Sequence, residues 1–131
     1  MTFPPPFVYR ATLIEVHDGD TINVTVDWGF RRYEDVSVRL LNLACLELSE
    51  PGGKEARDYV KTLIVPGQQL ALATAKPDKY SGRWDAAVTY MRDGILRDLA
   101  SDVIAAGYGL PWDGTGKQPK PAWPRQENPL A

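Results

Sequence analysis

The chain has 131 residues, of which 44% are hydrophobic and 24% charged, and its formal net charge is −2. This size favours one domain with enough buried surface for a core, and this balance excludes disorder of the whole chain. It also excludes a protein that coats nucleic acid by bulk charge, which needs a basic stripe and a high pI, so any contact with nucleic acid must rest on a few placed arginines.

Cys45 is the only cysteine, so an internal disulfide is excluded and a reducing compartment is expected. The N-terminal "MTFPPPFVYR" lacks the apolar stretch of a signal peptide, and no run approaches the ~18 apolar residues of a membrane span. A cytoplasmic protein is expected.

Residues 1–7 are Pro-rich and read as an extended arm. "VYRATLIEV" reads as a strand, and "HDGD" as the turn after it. "TINVTVDW" alternates, with Ile22, Val24, Val26 and Trp28 on one side, which is the period of a half-buried strand. "GFRRYE" reads as a polar loop. "DVSVRLL" alternates again and places Arg39 on the face opposite Val36, Val38 and Leu40.

After Pro51-Gly52-Gly53, Ala56, Tyr59, Val60, Leu63 and Ile64 have the spacing of an amphipathic helix. "QQLALATA" is a fourth strand, "KPDKYSGR" a charged turn and "WDAAVTYMR" a fifth strand. Leu96, Leu99, Ala100, Val103 and Ile104 predict a second amphipathic helix, closed by Gly107. From Pro111 the chain holds five prolines and two tryptophans without periodicity, an extended tail over 111–131 that Trp112 or Trp123 would pin. The order β-β-β-α-β-β-α over residues 8–110 is that of an OB-type five-stranded Greek-key barrel, mostly β or α+β, with two to three helices.

Few residues carry chemistry. Asp18 and Asp20 flank Gly19; two carboxylates there could bind a hard cation such as Ca²⁺, but the local residues favour plain turn chemistry. Arg39 offers a planar fork matched to phosphate oxygens, and Glu47 can take or orient a proton; the competing reading is an ion pair between the two. Arg83 follows Gly82 in the basic loop that holds Lys76 and Lys79. His17 is the only histidine, which excludes a His-based metal cluster, and Cys45 among leucines reads as a small core residue.

Taken in order, "DGDT", "VRLL…E", the helix opened by "GKEA", "DKYSGR" and "AAGYG" resemble the staphylococcal nuclease (thermonuclease-like) family over residues 8–110. The resemblance implies an OB barrel with helices that cleaves phosphodiester bonds of DNA or RNA, single-stranded substrate included, typically with Ca²⁺. The short form without a signal occurs in bacteria and phages, so the cytoplasm is that of a bacterium or of a phage's host. Residue by residue, the resemblance implies that Asp20 is a metal carboxylate supported by Asp18 and Thr21. It matches Arg39 and Arg83 to the phosphate-binding arginines, and Glu47 to the glutamate acting on the attacking water. Tyr80, with Lys79 beside it, falls in the loop that lines the nucleotide site.

One position departs from the pattern. The family usually reads Asp-Thr-Pro-Glu where this chain reads Ala44-Cys45-Leu46-Glu47. Ala44 removes the second metal carboxylate, while the backbone carbonyl of Cys45 survives as a ligand. The expectation is therefore a nuclease with a weakened metal site. The alternative is a catalytically impaired domain that binds nucleic acid or a protein partner.

Overall fold

The structure, a computed structural model, describes residues 7–77 and 83–125, with residues 75–77 by backbone alone. Three long strands open the chain: β1 (Val8–Asp18), β2 (Thr21–Gly29) and β3 (Arg32–Leu40). A two-residue β4 (Ala44–Cys45) precedes helix α1 (Gly53–Leu63). Then come β5 (Gln69–Pro77), β6 (Arg83–Arg92), β7 (Ile95–Asp98), helix α2 (Leu99–Ala105) and a short β8 (Gly109–Leu110).

The strands β3-β2-β1-β5-β6 pair in that order, and a parallel pairing of β3 with β6 closes them into a five-stranded mixed barrel. The described residues are mostly β, with two helices. Alternation explains the barrel wall. Ile22, Val24 and Val26 are buried, as are Val38 and Leu40 opposite them, while Asn23 and Thr25 face outward. Leu13, Leu70, Leu72, Val88 and Tyr90 complete the core, and Val60 of α1 and Val103 of α2 pack onto it. Helix α2 ends as the sequence predicts. Gly107, at φ 85°, donates to the Ile104 carbonyl and Tyr108 donates to Val103, the paired bonds of a Schellman close.

Two expected elements are corrected. The helical spacing places Leu96 in the second helix, but it lies in β7 and is 66% exposed. The helix starts later because Asp98 caps it, its carboxylate accepting from the Ser101 amide at 3.0 Å. "GFRRYE" is not a loop: β2 and β3 continue into it and only Phe30 and Arg31 turn.

That hairpin turn has φ of 54° at Phe30 and 61° at Arg31. Two positive φ values in a two-residue loop mark the type I′ geometry, which Asn-Gly adopts without strain and bulky residues do not. The double substitution Phe30→Asn/Arg31→Gly is therefore expected to stabilise the fold by about 1 kcal/mol. Urea unfolding of the two proteins measures this; an unchanged midpoint contradicts it.

Candidate functional site

The barrel brings the candidate residues together from distant parts of the sequence. Asp20 sits in the β1–β2 turn, where its amide donates to the Asp18 carboxylate at 3.1 Å. This is the turn chemistry that the residue types predict. The register of β2 with β3 sets Arg39 opposite Thr21, and Leu40 donates to the Asp20 carbonyl at 2.8 Å. The parallel pairing of β3 with β6 sets Arg83 beside Ser37 and Asp85 beside Arg39. Glu47 stands exposed in the loop between β4 and α1. Asp18, Asp20, Arg39, Glu47 and Arg83 all line one cleft of about 710 Å³.

Arg39 is not paired with Glu47, the partner that proximity in sequence suggests. Its Nη2 lies 3.5 Å from the Asp20 Oδ2 and donates to the Leu43 carbonyl at 3.3 Å. The Trp112 ring covers the guanidinium, with its centroid 5.1 Å from Cζ, within cation–π range. Strand register decides this pairing. β2 and β3 pair Thr21 with Arg39 and so bring Asp20, one residue before β2, beside it, whereas Glu47 lies beyond a turn.

Among the described residues, Asp20 and Thr21 are the buried polar pair, Asp20 with 8% exposure. Its Oδ1 accepts from the Thr21 hydroxyl at 3.2 Å and its Oδ2 from the Cys45 amide at 3.3 Å. Burial, reinforced by the Asp18 charge, raises its pKa from 3.8 to about 7 against the opposing pull of Arg39 and the Cys45 amide. Burial likewise pushes the Cys45 thiol up, so it stays protonated. Its sulfur packs where a Cβ on Gly19 would stand 2.9 Å away. Cys45 is thus a core residue at its side chain, as the sequence predicts.

A calcium site needs six to eight oxygens. The described residues supply two neighbouring carboxylates, Asp20 and Asp18, and Asp20 already faces Arg39. Ala44 is fully buried and brings no ligand atom on its side chain. Among the described residues, no group of three or more His, Cys, Asp or Glu could hold a metal ion. The chain's own donors therefore fall short of a complete calcium site. Tyr80 and Lys79, expected to contact substrate, lie outside the described residues.

The cleft also has walls that the sequence reading left out. Asp85 of β6 lines it, as do Trp112, Asp113 and Gln118 from the segment after β8. That segment is tied down: the Trp112 amide donates to the Asn42 carbonyl at 3.3 Å, and its indole to the Thr115 carbonyl at 2.9 Å. The Asp113 carboxylate accepts from the Thr115 amide at 2.9 Å. The only hint in sequence was the two tryptophans.

Among the described residues no helix is long and apolar enough to cross a membrane. No protein-family model matches the chain, and no curated protein matches its sequence.

Proposed function

We propose that the protein is a nuclease that hydrolyses phosphodiester bonds, with the cleft as its active site and an OB-type Greek-key barrel as its frame. The supporting observation is the convergence of Arg39, Arg83 and Glu47 on one cleft beside a buried carboxylate, Asp20. The motif resemblance of the sequence to staphylococcal nuclease points the same way. The cleft volume of about 710 Å³ suits one or two unpaired nucleotides, so single-stranded DNA or RNA is the proposed substrate.

In this reading the two guanidiniums hold the non-bridging oxygens of the scissile phosphate. They stabilise the charge that builds on those oxygens as water attacks. Glu47, exposed at the cleft, takes the proton from that water as the new P–O bond forms and the ester P–O bond breaks. The leaving oxygen is reprotonated from solvent.

The cleft is lined by five carboxylates and two guanidiniums. A phosphodiester adds further negative charge, so a divalent cation such as Ca²⁺ is the cofactor this reading favours. Water and the phosphate itself would have to supply most of its oxygens.

The buried Ala44 and the engagement of Asp20 by Arg39 favour a second reading, a barrel that binds nucleic acid or a protein partner without cutting. Ala44→Asp separates the two. In the nuclease reading this variant is destabilised in EDTA by about 1–3 kcal/mol, since it buries an unpaired charge, and Ca²⁺ restores its melting temperature. Its cleavage then rises at least about tenfold over the parent, because a charged ligand is worth about 1.5–3 kcal/mol. If Ca²⁺ neither restores the melting temperature of Ala44→Asp nor raises its cleavage, while Arg39→Ala abolishes oligonucleotide binding, the barrel serves recognition.

A further inference from the structure

The segment after β8 crosses back over the body of the protein. Pro121 is buried, and Trp123 packs so closely on Gly52 that a Cβ there would lie 2.6 Å from its ring. Arg125 donates to the Ala106 carbonyl at 2.9 Å and stacks on Tyr108, 4.6 Å from the ring centroid. Just before these anchors Lys120 reaches the loop that carries Glu47. Its Nζ pairs with the Glu50 Oε2, and the Glu50 Oε1 accepts from the Glu47 amide at 2.9 Å. One carboxylate thus joins Lys120 to the backbone of Glu47.

The rest of that loop is tightly folded but leaves Glu47 otherwise exposed. Glu50 donates to the Glu47 carbonyl at 2.9 Å and Gly53 to the Glu50 carbonyl at 3.0 Å. A Cβ on Gly53 would fall onto the Glu47 carbonyl, so the helix start abuts the loop directly. These contacts fix the C-terminal side of Glu47, and the Glu50 carboxylate fixes its amide.

We propose that Lys120 is a positioning residue for Glu47, acting through Glu50, and that the 111–125 segment is thereby a working part of the site. The pairing is local: Lys120 is 70% exposed at its side chain, and an exposed ion pair contributes little to global stability. Its effect falls on where the Glu47 loop sits. This inference rests on the nuclease reading for its consequence in catalysis but not for its geometry.

The test uses Lys120→Met, Glu50→Ala, their double variant and Lys120→Arg in the full chain. Hydrogen exchange at the Glu47 amide, followed by NMR, is expected to speed up about fivefold or more in Lys120→Met. It should speed up further in Glu50→Ala, and Lys120→Met should add nothing in that background, since coupled residues are non-additive. Melting temperature should stay within about 2 °C, and Lys120→Arg should restore wild-type exchange. Cleavage of single-stranded DNA should fall in kcat at unchanged KM, because the displaced loop acts on the chemical step. Unchanged exchange in Lys120→Met, or an effect that adds to that of Glu50→Ala, overturns the positioning role. If the wild type does not cleave, the nuclease reading fails, while the exchange data still decide the link.

Discussion

Arg39→Lys is expected to lower phosphodiester cleavage about 10²–10³-fold, nearly as far as Arg39→Ala. The charge is conserved, so bulk electrostatics predicts a mild effect. The geometry predicts otherwise. One guanidinium nitrogen of Arg39 is already committed to the Leu43 carbonyl and the Asp20 carboxylate, and its Cζ lies 5.1 Å from the Trp112 ring centroid. The remaining N–H groups of the fork are left for a phosphate. A lysine ammonium is a point charge without a fork, and Asp20 with the Leu43 carbonyl would capture it. Steady-state kinetics on labelled single-stranded DNA measures the effect. A rate within threefold of wild type would remove the two-arginine clamp from the mechanism.

Asp20→Asn should trade function for stability, and pH should reveal it. In chelator, the Asp20 carboxyl titrates at about 7 in the folded protein against an ordinary 3.8. Between those values the folded state keeps a proton that the unfolded chain has released. The stability of the wild type therefore falls as pH rises from about 4 to about 7 and levels off above. Asparagine cannot ionise and removes this penalty. The variant should be more stable than wild type at pH 8 by on the order of 2–4 kcal/mol and should lose that gain near pH 4. Cleavage should drop at the same time, as expected where a buried charge is kept for chemistry at a cost in stability. Urea unfolding at the two pH values measures it. A gain independent of pH would mean that Arg39 keeps Asp20 ionised throughout.

The barrel wall was readable because its signal is local. Ile22, Val24 and Val26 alternate with polar residues, and Asp-Gly marks the turn before them. Leu96 misled because it sits three residues before Leu99, a helical spacing, while the cap that stops the helix short is the single side chain of Asp98. The Phe30-Arg31 turn was hidden because neither residue is a turn former, and only the paired strands on both sides force it.

In the cleft, the residue types point to Arg39, Glu47, Arg83, Asp18 and Asp20 but not to how they pair, nor to Asp85 and Asp113 beside them. The partner of Arg39 is set by the register of β2 with β3, which pairs Arg39 with Thr21 and so places Asp20, the residue before it, within reach; proximity in sequence suggests Glu47 instead. The segment after β8 was the least legible. It makes contact through isolated side chains, Trp112 on Arg39, Lys120 on Glu50 and Trp123 on Gly52, and isolated contacts leave no period in the sequence. Periodicity reports elements that bury a face, whereas a segment held by single anchors can be placed only once the surface beneath it is known.

Everything proposed for the cleft depends on whether Arg39, Glu47 and Arg83 together cleave a phosphodiester there. The most direct measurement is cleavage of end-labelled single-stranded DNA by the purified chain, titrated with Ca²⁺ and then with EDTA, beside the Arg39→Ala/Glu47→Ala variant. Cleavage is expected to rise with Ca²⁺, to disappear in EDTA and to be absent from the double variant. Binding without cleavage at millimolar Ca²⁺, or cleavage that survives in the double variant, would contradict it.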